Sequence, residues 1–304
     1  MNQPKNLELL PKYYAPSSWW EHVPIAHWII EKLKPNTIAE LGTHYGVSFF
    51  SFCEAAEAYS PDTYIYAIDT WEGDGQAGYY KNEVYTKVYE NRMKWHSQRS
   101  SMLRCTFDEA ASRFSEKSID LIHIDGLHTY EAVRNDFEIW KDKLKENGTI
   151  MFHDWNVREK DFGVWKLWDE IKNDSNYQCI ETPNGYGLGL ATLTTTKPIW
   201  HDELQRDLAK LITKGKLLKD LQDEKDKNEI LAKEMKTQNQ HSINLETIKN
   251  ENMNYIDSLI KELEETRQIK KKLEHEIEQG NRTLQVKIKS KLKRWFKILF
   301  KKRA

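Results

Sequence analysis

Four places in the sequence put reactive side chains directly after short apolar runs. Residues 38–41 lead into Glu40-Leu41-Gly42-Thr43-His44-Tyr45-Gly46. Asp69 ends the run at 63–68. Asp125 ends the run at 119–124, with His128 three residues on. His153 and Asp154 end the run at 149–152. Glycines 42 and 46 allow a tight turn and a close ligand, and a helix start after them offers unpaired N–H groups. An ordinary strand-to-helix turn would use the same glycines. A nicotinamide site calls for G-x-G-x-x-G. The spacing here is G-x-x-x-G with His at position 44, which weakens a dehydrogenase reading. An acid about 20 residues past such a loop is where ribose hydroxyls are held, and Asp69 stands there.

The elements that must position these residues alternate. Strands are expected at 38–41, 63–68, 101–105, 119–124 and 149–152. Helices are expected at 46–58, 108–115, 129–145 and 163–172, and a terminal hairpin at 177–182 and 188–193. That order predicts an α/β fold with a parallel sheet covered on both faces. Ligands in such sheets lie beyond the carboxyl ends of the strands, where the loop, Asp69, Asp125, His153 and Asp154 all fall. Trp140, Trp165 and Trp168 recur at helical spacing and read as core.

E-L-G-T-x-x-G followed by an acid ending the second strand resembles the class I S-adenosylmethionine-dependent methyltransferases. The stretch 119–171, with GYGLGLATL at 185–193, is similar to a bacterial branch found in surface-polysaccharide gene clusters. The likeness covers roughly residues 17–196. It implies a Rossmann-like sheet with helices on both faces and S-adenosylmethionine as cofactor. It further implies that Glu40, Gly42 and Gly46 shape the methionine side and that Asp69 accepts from the ribose. Thr106–Asp108 would lie near the adenine, with Asp108 as the contact, and Asp125 would also face the cofactor.

Methyl transfer needs an in-line acceptor and, for a hydroxyl, a group that takes the proton. In related O-methyltransferases an acid after the fourth strand and a pair after the fifth hold a divalent cation such as Mg²⁺. Asp125 and Asp154 match two of those places, while His153 stands where an acid is often found. The other reading makes His128 or His153 the general base, and a purely structural role stands beside both. Trp71 and Trp155 follow strand ends and could line an acceptor pocket or simply pack. Trp19, Trp20 and Trp28 lie in a segment that could cap the site, and the glycine-rich 73–80 is a candidate lid.

The net charge of −1 conceals a division. Of 35 aromatic residues, 31 lie before residue 201, and the last of eight prolines is Pro198. Residues 287–304 hold nine Lys or Arg and no acid, which leaves −10 on the rest. Three cysteines without metal-type spacing, no long apolar run and no basic-then-apolar start argue against a zinc module, a spanning helix and a secretory signal. The reading divides the chain into a methyltransferase domain over 1–200, a coiled-coil segment over 201–286 and a basic amphipathic helix over 287–304. One heptad register runs from Leu217 to Leu284. Eleven of its 20 a and d positions are apolar, against nine of the other 48. That favours self-association, and Asn228 at an a position hints at a parallel dimer. In the tail, Ile288, Leu292, Trp295 and Leu299 share a face among lysines, which suits an anionic membrane surface better than nucleic acid.

The order of domain, coil and basic end resembles bacterial enzymes that cap O-antigen chains by methylation. The expectation is a peripheral enzyme on the cytoplasmic face of the bacterial plasma membrane. It would methylate a sugar or sugar phosphate of a lipid-linked glycan acceptor, in company with glycosyltransferases, and terminate chain growth with the coil as spacer. The alternatives are a methyltransferase on a soluble nucleotide sugar or small molecule, and a non-catalytic tether of a glycan-synthesis complex.

Overall fold

The computed structural model describes residues 9–159, 161–278 and 282–301. Contacts divide the chain into two units, the break falling after Asn228.

The first unit opens with a 3-10 turn at Ser18–His22 and helix α1 (Val23–Leu33). Strand β1 (Thr37–Leu41), helix α2 (Val47–Tyr59) and strand β2 (Tyr64–Asp69) follow. A two-residue hairpin, β3 (Gly73–Asp74) and β4 (Gly78–Tyr79), precedes helix α3 (Asn82–Trp95), β5 (Ser100–Arg104) and α4 (Phe107–Ala111). Then come β6 (Ile119–Ile124), α5 (Tyr130–Trp140), β7 (Leu144–His153), α6 (Val164–Lys172), β8 (Tyr177–Thr182) and β9 (Leu188–Leu193). Seven strands form one sheet in the order β5-β2-β1-β6-β7-β9-β8. Within this sheet β9 runs opposite to the other six strands, pairing antiparallel with β7 and β8. The winding reverses between β1 and β6, which is where open α/β sheets form their ligand crevice.

This is the Rossmann-like arrangement expected, with helices on both faces. One core joins the N-terminal segment, α1 and α2 to one face. The other joins α4, α5 and α6 to the opposite face. Burial on both faces explains why β6 reads as a continuous apolar run. The helix expected over 129–145 stops at Trp140, because residues 141–143 tighten into a 3-10 turn and Leu144 already begins β7. Helices α1 and α3 were not anticipated. Eight of the eleven α1 residues are buried, so no polar stripe betrays its period. Trp140 and Trp168 are fully buried as expected, but Trp165 is half-buried, its indole N–H donating to the Phe162 carbonyl.

Helix α7 spans Ile199–Glu278. The boundary expected at residue 200 therefore falls at the start of a helix whose first 30 residues belong to the first unit. Its inward seam is His201, Leu204, Leu208, Leu211, Gly215, Leu218 and Gln222, at alternating spacings of three and four. Trp28 donates to Asp207 at 3.0 Å, and Lys32 pairs with Glu203 at 2.8 Å. A Cβ on Gly215 would lie 2.1 Å from the Glu21 carbonyl oxygen, so only glycine fits. Leu217 and Leu221, where the heptad register was expected to begin, are exposed; the buried seam is one residue out of step with it.

In the second unit, residues 229–278 continue as helix. The expected a and d residues Leu231, Met235, Leu245, Ile256, Leu259 and Leu263 are all exposed. The expected d position at Gly280 lies outside the described residues. Helix α8 (Arg282–Lys301) exposes Val286, Trp295, Phe296 and Ile298, while Ile288 is buried. The Leu299 side chain is outside the described set. Among the described residues no helix is long and apolar enough to cross a membrane.

Candidate active site

Strands β2, β1, β6 and β7 are consecutive neighbours and parallel, so their carboxyl ends share one edge. That edge brings Glu40, Gly42, Asp69, Asp125, His153 and Asp154 together. Gly42 has φ +92, and a Cβ there would lie 2.0 Å from the Asp125 carbonyl oxygen. The close approach this glycine permits is thus between two strand ends. Gly46, at φ +83, is the N-cap of α2.

Asp69 faces the loop. Its Oδ2 accepts the backbone N–H groups of Thr43 and His44, each at 2.9 Å, and its Oδ1 accepts that of Trp71 at 2.6 Å. A carboxylate has about four acceptor sites, so one is left for a ribose hydroxyl. Trp71 is buried and donates its indole N–H to the His44 carbonyl. It braces the loop and does not line an acceptor pocket. Trp155 is likewise buried, against Trp168. Asp108 is exposed in the first turn of α4 and accepts from Asn135.

Two imidazoles and two carboxylates interlock beyond β6 and β7. His128 Nε2 lies 3.0 Å from Asp154 Oδ2 and 3.4 Å from Asp125 Oδ1. His153 Nδ1 lies 3.1 Å from Asp125 Oδ1 and 3.2 Å from Asp154 Oδ1. Burial opposes charge on His128, but hydrogen bonds to Asp125 and Asp154 outweigh it and raise its pKa to about 9. Burial opposes charge on His153 too, and the fields of the same two acids overcome it. Burial would raise the pKa of Asp125, yet His153 and His128 hold it well below the carboxylate range. Asp154 backbone sits at φ 61, a strained value for a non-glycine residue.

The structure also supplies residues that the sequence did not single out. Gln76, at the tip of the β3–β4 hairpin, accepts at Oε1 from the His128 backbone N–H (3.0 Å) and ring Nδ1 (3.1 Å). Its Nε2 donates to Asp161 at 2.7 Å, which fixes the amide's orientation. The 73–80 segment, a candidate lid in sequence, thus reaches the site through one side chain. With Nδ1–H given to Gln76, His128 Nε2 is the nitrogen that faces the acids. Ring Phe162 stacks on His128 at 4.8 Å. His22 lies 5.1 Å, centroid to centroid, from His153 and donates at Nε2 to the Gly185 carbonyl. Burial, then the nearby His153, lowers its pKa to about 3, so it is neutral. Trp19 and Trp20 are fully buried, so the segment expected to cap the site packs beneath it.

His153 is 2% exposed, with Nδ1 shared between two carboxylates and Nε2 buried without a partner. As a base it has no open path to an acceptor; it holds the acids in place. His128, its side chain 16% exposed, is the more accessible member of the pair. His128 Nε2 and one oxygen each of Asp125 and Asp154 lie within 4.8 Å of one another, a donor set that could hold a metal ion.

Residues 39–155 match the family described as "Methyltransferase domain". The segment is a methyltransferase domain. It is of the S-adenosylmethionine-dependent kind, with its glycine loop after β1 and an acid ending β2. The chain is also similar to "Uncharacterized protein y4gI" of Sinorhizobium fredii, 39% identical over 202 residues. That match takes in 66% of this chain and spans about a fifth (21%) of the relative's length. Among solved structures, the chain is similar to S-adenosylhomocysteine-bound methyltransferase PaMTH1 of Podospora anserina (14% identity, TM-score 0.44, covering 60% of this chain and 90% of that one). It is also similar to the O-methyltransferase TomG of Streptomyces achromogenes, solved with S-adenosylmethionine (13% identity, TM-score 0.44, covering 64% and 91%).

Proposed function

We propose that this chain is an O-methyltransferase acting on a sugar hydroxyl, or a phosphate on a sugar, of a lipid-linked surface polysaccharide. The observation that carries oxygen as the methylated atom is the Asp125–His128–Asp154 cluster. It sets an imidazole and two carboxylates beside the cofactor loop. In the reaction the acceptor oxygen attacks the methyl carbon in line, the carbon–sulfur bond breaks toward S-adenosylhomocysteine, and the hydroxyl proton leaves to His128 Nε2. Gln76 holds the ring so that Nε2 faces Asp125 and Asp154, and the acceptor hydroxyl would approach this cluster, whose acids His153 keeps aligned.

His128 must be deprotonated to accept a proton, and its pKa of about 9 means that, between the two acids alone, it carries one at neutral pH. The alternative to a His128 base is a divalent cation on the same three donors, which would occupy Nε2. The Nδ1–H bond to Gln76 is the kind of outer contact that fixes a ligating histidine, and two carboxylates balance two positive charges as well as two imidazoliums do. Such an ion would lower the pKa of a bound hydroxyl.

The membrane and polymer context is supported by the cationic α8, which exposes Trp295 and Phe296 among lysines, and by the exposed apolar residues of 229–278. Each cation near an anionic leaflet adds about 1 kcal/mol. In this reading the second unit self-associates as a coil and tethers the enzyme to the inner face of the plasma membrane, close to glycosyltransferases. The decisive experiment is mass spectrometry of surface glycan from a deletion strain. Loss of a terminal methyl group is expected, and an unchanged glycan would refute the acceptor. Deleting residues 287–304 should abolish binding to anionic liposomes.

A further inference from the structure

Glu40 and His123 are fully buried on adjacent strands and are register partners in the β1–β6 ladder. A buried carboxylate needs donors, and Glu40 has two. Thr43 Oγ1 donates to its Oε2 at 2.9 Å, and His123 Nδ1 lies 3.3 Å from its Oε1. The other face of His123 settles which nitrogen bears the proton. Trp19 Nε1 lies 3.2 Å from His123 Nε2. An indole N–H can only donate, so Nε2 accepts and the proton sits on Nδ1, aimed at Glu40. The rings of Trp19 and Phe52 meet the imidazole edge-on at 5.2 and 5.6 Å and hold its plane.

We propose that Trp19 and His123 are positioning residues for the cofactor loop: the indole fixes the His123 tautomer, His123 orients Glu40, and Glu40 holds Thr43. This rests on the reading of 40–46 as the S-adenosylmethionine loop. Thr43 follows Gly42 directly, and its backbone N–H is held by Asp69. The loop is therefore gripped twice, by its backbone from β2 and by its side chain from the buried relay. Without the His123 donor, Glu40 keeps Thr43 as its only partner among the described residues and turns toward the loop to find another, displacing the surface that receives the cofactor.

The test titrates the full chain calorimetrically with S-adenosylhomocysteine. His123→Phe removes the donor and should weaken binding about tenfold, the scale of one lost hydrogen bond to a charged group. His123→Asn keeps an N–H at the Nδ1 position and should stay within about threefold of the wild type. Trp19→Phe should fall between them, and ¹⁵N spectra should show His123 as the Nδ1–H tautomer only while the indole is present. If His123→Phe fails to fold, Thr43→Val reports on the same relay and should lose about as much, with Thr43→Ser restoring it. Equal binding by the wild type, His123→Phe and Thr43→Val, or an Nε2–H tautomer in the wild type, would overturn the relay. A well-folded wild type that binds no S-adenosylhomocysteine would overturn the cofactor reading, and the relay with it.

Discussion

Helix α7 contains two stretches built from the same residue types under opposite conditions. Over 199–228 its apolar seam is covered by the catalytic unit. Over 229–278 leucines and isoleucines at similar spacing stand in solvent. Helical period alone does not distinguish them; the available partner does. Most helix stability in water comes from burying an apolar face. The first stretch is thus part of a folded body, and the second awaits another surface to cover it.

Truncation tests this contrast most severely. A chain ending at Asn228 should fold and bind S-adenosylmethionine, whereas one ending at Pro198 should lose cooperative unfolding, because Leu204, Leu211 and Leu218 would be missing from the core. Thermal melts of both decide it. Next in size, Leu211→Ala should destabilise by about 2–5 kcal/mol, while Leu259→Ala in dilute protein should change stability by less than about 0.5 kcal/mol. The second substitution should instead reduce any dependence of melting temperature on protein concentration. Equal effects would erase the distinction between the stretches.

Stability against pH tests the catalytic unit. His22 and His27 are held neutral by burial, each with its pKa lowered to about 3. The unfolded chain takes up their protons below about 6.5, so stability falls with acid by about 1.4 kcal/mol per pH unit per proton. His128, raised to about 9, works in the opposite direction. Its contribution is complete below about 6.5 and is lost as pH rises through about 9. From these three histidines, melting of the 1–228 fragment should be highest near pH 6.5 and fall on either side. A smaller effect than that of Leu211→Ala is expected for Trp28→Phe, which removes the hydrogen bond to Asp207 and should cost about 1 kcal/mol.

The sheet was legible because its central strands are apolar runs that end in acids. The same feature located Asp69, Asp125, His153 and Asp154. What stayed hidden depends on contacts distant in sequence. Gln76 meets His128 across 52 positions, and Trp19 meets His123 across 104. A polar residue inside an apolar run, as His123 is within IDLIHI, was the one available signal. The docked seam was missed for a simpler reason. Leu217 and Leu218 are adjacent, so a heptad can be written through either. Only the covering surface selects Leu218.

Gly215 places a constraint on how this protein can vary. Where the helix touches the Glu21 carbonyl there is no room for even one carbon atom. One inserted residue between 199 and 215 would rotate everything after it by about 100° and present a side chain to that carbonyl. Related chains should therefore keep the distance from β9 to this glycine unchanged while accepting insertions and deletions beyond residue 229. The fixed interval would mark where the catalytic body ends more reliably than any change in composition.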